Sequence, residues 1–372
     1  SNYYQEQWQE LRESADSQHL DSLAKRVASS FIDRYYYSDE YNREHIHLLC
    51  EMATHFADES LNQIAARTLF GTVIERLCDD FEELQTETYN RLICQVVNYL
   101  CHIPEGKEMK SELYSFHLRT EEQLYQRIES IRLTPDRKLS GIVRPKKILI
   151  LSRVTIGADV AITSVICQRV AQFYPDAEIV VIGNGKLKQI FACESNIQVH
   201  ELNYARRGGL VEKFQIWLQL LTEVRRIIAN LSPVEFLILD PDSRLTQLGV
   251  LPLVPLPNYR FFNSRGKQGT SKHASMAQLT NQWLDNILGN KEFCYPKVWP
   301  IASNLQSAEQ FRLKIDPNKN STIITVNLGV GGNERKRVQG EFERELLLTL
   351  LNEPNTKIVL DLGFGHQERA QS

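Results

Sequence analysis

The sequence predicts an α/β protein in three parts. These are an all-helical N-terminal domain at 1–140, a doubly wound parallel-sheet domain at 146–300 and a partial second domain of the same kind at 320–372. Three observations predict this: helical periodicity before residue 132, alternating strands and helices after residue 147, and a second strand-turn-helix-strand run after residue 321. Parallel neighbours need a crossover connection, so alternation of this kind specifies a parallel sheet.

The N-terminal part is expected to be helical because residues 3–132 contain only Gly71, Pro104 and Gly106 as helix breakers. Apolar residues recur there at spacings of three and four, as on one face of a helix. Examples are the stripes Leu20, Leu23, Val27, Phe31 and Ile46, Leu49, Ala53, Phe56. The segment 133–145 breaks this period with two prolines and a glycine, which indicates a linker.

The first sheet is expected to begin at 147–152, where Ile148 to Leu151 are apolar without alternation, as in a strand buried on both faces. The pattern continues with helix 159–173, strand 178–183, a short helix at 186–193, strand 197–201, helix 210–230, strand 235–240, a short strand at 259–262 and helix 274–288. Pro296, Pro300 and Pro317 then mark a connecting stretch. The second run comprises strand 322–328, helix 341–351 and strand 357–362.

Composition limits the classes of function. The net charge of −3 and the pI of about 6.3 give no global reason to expect nucleic acid as a partner, so any basic site must be local. The seven cysteines are odd in number and lack a C-x-x-C pair, which argues against a disulfide framework or a zinc site. The start has no signal pattern and no apolar run is long enough to span a membrane. These features predict a cytoplasmic protein, with peripheral association at the inner face of the membrane left open.

The loop after the first predicted strand carries Thr155, Gly157 and Asp159. Open α/β sheets bind ligands at the carboxyl ends of their strands, so these residues fall where a ligand is expected. Asp159 lies at the predicted mouth of the next helix, where a carboxylate can satisfy free N–H groups and the helix dipole. The residues alone therefore leave a capping role and a catalytic role open.

Two local cationic loops also follow predicted strands. One is a glycine-rich turn ahead of a helix, where exposed N–H groups and nearby cations favour a phosphate-bearing ligand; its residues are Gly329, Gly331, Gly332, Arg335, Lys336 and Arg337. The other contains Arg206 and Arg207 and is placed to receive an anionic substrate. A solvated basic surface explains either loop equally simply. Neither fits a nicotinamide or ATP motif, so no cofactor is predicted.

The predicted strand 235–240 ends in Asp240-Pro241-Asp242, with Arg244 close behind. Two carboxylates in a D-x-D spacing can hold a divalent metal on a nucleotide diphosphate. The same tripeptide also serves as a strand-end cap and turn, or as a contact to an acceptor. Turn formation is the simplest of these readings, and no metal ligand is assigned.

Residues 147–372 resemble the heptosyltransferase-like glycosyltransferase family 9, which has two facing Rossmann-like domains in the GT-B arrangement. The resemblance is carried by four segments: the opening strand through Asp159-Val160, the Phe173-Tyr-Pro-Asp-Ala run, the strand ending in Asp240-Pro-Asp242 with Arg244 behind it, and Tyr259-Arg-Phe-Phe. Residues 1–140 fall outside it. The second domain is incomplete by this comparison.

The resemblance implies a glycosyltransferase that moves a sugar from a nucleotide diphosphate sugar to a saccharide or glycolipid acceptor by an inverting, general-base mechanism. Asp159 matches the family's catalytic carboxylate, although Ala158 separates it from Gly157 where the family has glycine and aspartate adjacent. Arg206, Arg207, Asp242 and Arg244 would contact the acceptor, and the glycine-rich turn at 329–337 the donor. The helical domain would engage a protein partner or the acceptor.

Two alternatives remain beside this expectation. One is a non-catalytic scaffold or binding protein built on a degenerate GT-B fold, because much of the family's donor domain has no counterpart here. The other is a metal-dependent transferase that uses Asp240 and Asp242.

Overall fold

The computed structural model describes residues 2–14, 16–79, 83–134, 138–139, 144–192, 196–202, 208–265, 274–329, 338 and 340–362. It divides into two compact units, Ser1–Trp299 and Pro300–Ser372. The helical N-terminal part and the first sheet belong to the same unit. The domain boundary near residue 140 therefore stays a prediction.

The N-terminal part consists of helices, as predicted. Several begin at a residue whose side chain accepts a backbone N–H from the first turn, namely Asp16, Asn42, Asp58 and Thr120. The helices are α1 (Asn2–Ser14), α2 (Ser17–Ser38), α3 (Arg43–Met52), α4 (Glu59–Thr68), α5 (Glu75–Asp79), α6 (Glu83–Leu100), α7 (Lys107–Ser115) and α8 (Glu121–Leu133).

The first sheet is parallel and has the strand order β3-β2-β1-β4-β5, which confirms the α/β prediction. Its strands are β1 (Lys147–Leu151), β2 (Glu178–Gly183), β3 (Ile197–Glu201), β4 (Phe236–Asp240) and β5 (Tyr259–Phe261). Its helices are α9 (Ile156–Ala158), α10 (Ser164–Phe173), α11 (Leu210–Ile228) and α12 (Met276–Leu288). The helix predicted at 186–193 is instead a 3₁₀ turn at Gly185–Gln189, where the Asn184 side chain accepts the N–H of Lys186 and favours a tight turn.

The strand order creates a switch point between β1 and β4. From β1 the chain proceeds outward through β2 to β3, and it then returns to the other side of β1 as β4 and β5. In open α/β sheets, a crevice that binds ligands opens at such a reversal, beyond the carboxyl ends of the strands.

The two faces of this sheet are covered differently. One face, with Leu149, Leu151 and Ile238, shares a continuous apolar core with α11 and the N-terminal helices. The opposite face, with Ile148 and Ile150, packs against α10 and α12. The helical part therefore takes the place of one helical layer of the α/β sandwich.

The second unit contains the parallel pair β6 (Thr322–Asn327) and β7 (Thr356–Asp361), with α14 (Gly340–Leu351) between them in sequence. The predicted connecting stretch before it is wrong in one respect, because it contains helix α13 (Ala302–Ile315). Pro300 and Pro317 flank this helix instead of interrupting it, and good helix formers fill it. Every residue of α13 lies at least partly exposed, so no apolar stripe marks it. Across the described residues, no helix is long and apolar enough to cross a membrane.

Candidate functional site

The candidate site lies at the switch point, where the loops after β1 and β4 run side by side. β1 and β4 are paired from Lys147 with Phe236 to Ile150 with Leu239. Ser243 Oγ donates to the Ser152 carbonyl oxygen at 2.5 Å, and Arg153 Nη1 donates to the Pro241 carbonyl oxygen at 3.1 Å. Protein groups therefore bridge the crevice directly.

Asp159 lies inside the helix that follows β1, not at its first residue. The helix begins at Ile156 with Thr155 as its N-cap, and Asp159 opens a π-helical segment that extends to Thr163. The predicted helix start at residue 159 is thus one turn late. Single-turn π segments are rare and frequently occur at functional sites, so the local geometry favours a functional role for this carboxylate.

The Asp159 carboxylate is buried and fully hydrogen-bonded, with 1% of the residue exposed. It accepts hydrogen bonds from Ser152 Oγ at 2.7 Å, the Arg153 backbone N–H at 2.8 Å and Thr163 Oγ1 at 2.7 Å. Burial raises the pKa of Asp159, although these three hydrogen bonds oppose the rise. A carboxylate with a raised pKa is a stronger base than an exposed one, but an acceptor hydroxyl must displace Ser152 or Thr163 to reach it.

Asp242 lies beside this group and is shared by two arginines. Its Oδ2 accepts from Ser264 Oγ at 2.8 Å and from Arg265 Nε at 3.1 Å, and it lies 3.6 Å from Arg153 Nη1. Arg153 Nη1 also donates to Ser264 Oγ at 2.7 Å. The carboxyl ends of β1, β4 and β5 are joined in this way by one buried ionic cluster.

Among the described residues, the hydrogen-bond donors to Asp240, at the end of β4, are all uncharged. Thr246 Oγ1 and Tyr259 OH donate to its Oδ2 at 2.6 and 2.7 Å, and the Ser243 N–H donates to its Oδ1 at 2.7 Å. Burial raises the pKa of Asp240 to about 6. The two carboxylates of Asp240-Pro-Asp242 are therefore engaged by different protein donors, an arrangement typical of a strand-end turn. The described residues contain no group of three or more His, Cys, Asp or Glu side chains that could hold a metal ion.

Among the described residues, four of the eight non-glycine residues with positive φ lie in the same two loops. Val154 has φ +72°, Asp242 has φ +62°, and Gln247 and Leu248 have φ +50° and +56°. The left-handed region is unfavourable for residues with a side chain and most unfavourable for a β-branched one such as Val154. Strain of this kind clusters at active sites and ligand clamps, which favours a functional role for this edge.

The N-terminal helices reach into the site. Tyr89 of α6 lies beneath Arg265, whose guanidinium carbon is 5.0 Å from the ring centroid, and its hydroxyl donates to Gln247 Oε1 at 3.3 Å. Arg127 of α8 donates to the carbonyl oxygens of Gly249 and Val250 at 2.8 and 3.0 Å. The helical part therefore braces the loops after β4 and β5, next to Asp242.

The sequence-predicted site residues are only partly brought together. Asp159 and Asp242 lie in this cluster through Arg153, and Arg244 begins the short 3₁₀ turn Arg244–Thr246 next to Ser243. In the second unit, the Gly329 N–H donates to Asn327 Oδ1 at 2.8 Å. Other predicted residues lie outside the described part of the chain: Arg206, Arg207, Gly331, Gly332, Arg335, Lys336 and Arg337.

Several residues of the cluster were missed by sequence reasoning. Arg153 and Arg265 hold Asp242, while Ser152 and Thr163 hold Asp159. One signal could have found the arginines, because each follows a predicted strand within a few residues and so falls at the carboxyl edge. Nothing in the residue pattern distinguishes Ser152 or Thr163 from other polar loop and helix residues.

Comparisons with known proteins add one distant neighbour. No family model and no curated protein matches the chain. A similar solved structure is "The crystal structure of the glycosyl transferase family 9 from Veillonella parvula DSM 2008", with 16% sequence identity and a TM-score of 0.41. The match covers 57% of this chain and 61% of that one. At this score the two chains share too little for the neighbour's function to be transferred.

Proposed function

We propose that this chain is a glycosyltransferase of the GT-B type, which moves a sugar from a nucleotide diphosphate sugar to a saccharide or glycolipid acceptor. The acceptor hydroxyl oxygen attacks the anomeric carbon, the bond from that carbon to the diphosphate oxygen breaks, and the nucleotide diphosphate leaves. Asp159 takes the proton from the hydroxyl as general base.

One observation carries the proposal: Asp159 is a basic carboxylate at the switch point of a parallel sheet. Burial raises its pKa, and a general base works best with a pKa nearer the working pH than that of an ordinary aspartate. The strained loops and the arginines around Asp242 supply a polar edge against which an acceptor can lie. We further propose that the donor contacts the turn at 329–337.

A second candidate is a non-catalytic binding protein on the same fold. It is favoured by the 1% exposure of Asp159 and by the three protein donors that occupy its oxygens. In that case Asp159 only joins β1 to the following helix, and the arginine cluster binds a ligand without transforming it.

The Asp159→Asn variant tests the choice. The amide oxygen can still accept from the Arg153 N–H and Thr163, and the amide nitrogen can donate to Ser152 Oγ if that hydroxyl turns. The fold should therefore persist while basicity is lost. We expect transfer or donor hydrolysis, measured with a panel of nucleotide diphosphate sugars, to fall by ~10²–10⁴-fold.

Asp21→Asn is a matched control, since Asp21 pairs with Lys25 on the exposed surface of α2. This variant should retain full turnover. Equal turnover in Asp159→Asn and the parent protein would exclude Asp159 as the base. If the parent neither transfers a sugar nor binds a nucleotide diphosphate by calorimetry, the second candidate replaces the first.

A further inference from the structure

Within the described part of the chain, two buried hydrogen-bond donors beside Tyr89 have no acceptor. Arg265 Nη1 and Gln247 Nε2 make no hydrogen bond within the described structure, although Arg265 is only 3% and Gln247 only 2% exposed. Buried polar groups are almost always paired, because an unmade bond leaves the full cost of removing the group from water. Two such donors on side chains that contact the same tyrosine therefore call for a common explanation.

Both donor side chains contact Tyr89 of α6. The Arg265 guanidinium lies over Tyr89, with its carbon 5.0 Å from the ring centroid, and Gln247 Oε1 accepts from the Tyr89 hydroxyl at 3.3 Å. That hydrogen bond fixes the Gln247 amide so that its oxygen faces Tyr89 and its nitrogen points elsewhere. Arg265 is fixed in turn by Asp242, which accepts from Nε at 3.1 Å and from Nη2 at 3.4 Å. Each free N–H is thus held by contacts on the rest of its own side chain.

The charge around these donors favours an anion. Asp242 is shared by Arg265 and Arg153, so one carboxylate serves two guanidinium groups. The other carboxylates of the edge, Asp159 and Asp240, are already engaged by hydroxyl and backbone donors. A guanidinium N–H forms a stronger, charge-assisted hydrogen bond with an oxyanion than with a neutral oxygen, so an oxyanion is the acceptor that suits these free N–H groups best.

We infer that Arg265 and Gln247, positioned by Tyr89, form a binding subsite for a single oxyanion, a phosphate or a carboxylate. The inference rests on the proposed function only for the identity of the larger molecule that carries this group. It gives the helical part a direct role in the site, because Tyr89 of α6 positions both donors.

Calorimetry with inorganic phosphate, methyl phosphate and acetate tests the subsite in the whole chain. We expect the parent protein to bind at least one of them, and the three arms separate free phosphate, an esterified phosphate and a carboxylate. Gln247→Glu replaces the free N–H by a negatively charged oxygen while keeping the acceptor for Tyr89. Because it removes a charge-assisted hydrogen bond and adds repulsion, affinity should fall tenfold or more.

Gln219→Glu is the matched control, since it makes the same change on the exposed surface of α11 and should leave affinity unchanged. If Gln247→Glu fails to fold, Gln247→Met removes the donor without adding charge and should also weaken binding. The inference is overturned if the parent binds none of the three anions, or if the folded Gln247 variant binds as tightly as the parent. These measurements need no donor sugar. A protein that binds phosphate but transfers nothing would therefore contradict the proposed function and still support the subsite.

Discussion

The carboxyl edge of the first sheet has a closed half and an open half. The closed half comprises the loops after β1, β4 and β5 and contains the buried carboxylates, and Tyr89 and Arg127 of the helical part contact the loops after β4 and β5. The open half, beside β3 and α11, borders a groove of about 680 Å³. There charged side chains pair at the surface, as Lys188 Nζ does with Glu201 Oε1.

This difference shows how one covering layer changes the chemistry of an edge. Ion pairs in the open half face water, so each is screened and contributes little. In the closed half every charge must be satisfied by protein or ligand, because removal from water is costly. One sheet edge can therefore carry exposed ion pairs that contribute little on one side and a buried polar cluster whose charges all need partners on the other. The following variants test the comparison, from the largest expected effect to the smallest.

Asp242→Asn should have the largest effect on stability. It leaves the buried Arg265 guanidinium and the half-buried Arg153 guanidinium without their shared carboxylate. Breaking a buried pair costs about 3–5 kcal/mol. Backbone strain does not explain such a loss, since asparagine tolerates the left-handed region at least as well as aspartate. Urea unfolding measures the change in the free energy of unfolding.

The open half offers the matched control, because Glu201 pairs with Lys188 where both side chains are exposed. Glu201→Gln should cost no more than about 1 kcal/mol. Equal losses from the Asp242 and Glu201 variants would show that the two halves do not differ.

The pH dependence of stability should reveal the raised pKa of Asp240. Its pKa is raised from 3.8 to about 6 in the folded protein, so the folded state holds this proton more tightly than the unfolded state. The free energy of unfolding should therefore fall as pH rises from 3.8 towards about 6. A rise of about two units corresponds to ~3 kcal/mol. The raised pKa of Asp159 acts in the same direction.

Asp240→Asn isolates this contribution, since asparagine does not titrate. The variant loses stability overall, because its amide cannot accept all three of the native hydrogen bonds. Urea unfolding at several pH values between about 4 and 7 should give it a flatter slope than the parent. An identical slope in the two proteins would mean that Asp240 has an ordinary pKa.

The same contrast explains what the sequence could and could not predict. The strands were predictable because Ile148 to Leu151 and Phe236 to Leu239 are apolar throughout, a local pattern. Asp159 and Asp242 could be placed at the carboxyl edge because strand ends follow from strand assignments. Their partners could not be assigned, since Arg265 reaches Asp242 from a position 23 residues away and Tyr89 reaches Gln247 across 158 residues.

Helix α13 and the left-handed loops were unpredictable for different reasons. In α13 the surface is exposed on every side, so burial imposes no period on its residues. In the loops, residues that disfavour positive φ adopt it because tertiary contacts hold them there. Val154 is the sharpest case, since no local signal predicts a β-branched residue in that conformation.

The smallest expected effect tests this strain at Val154. Valine, alanine and glycine differ there in side chain, but only glycine adopts φ +72° without cost. Val154→Gly and Val154→Ala lose the same apolar contact to within a methyl group, so their difference reports the backbone. Glycine should be more stable than alanine by ~1 kcal/mol, because the left-handed cost of ~1–2 kcal/mol exceeds the entropic cost of glycine.

The control pair is Gln219→Gly and Gln219→Ala, on the exposed face of α11, where helical backbone applies. Alanine should be the more stable there by ~1 kcal/mol. Thermal unfolding of all four variants should therefore show that the order of stability of glycine and alanine is reversed between the two positions. If alanine is also the more stable at residue 154, the loop relaxes without cost, and the strain that distinguishes the closed half is not stored at Val154.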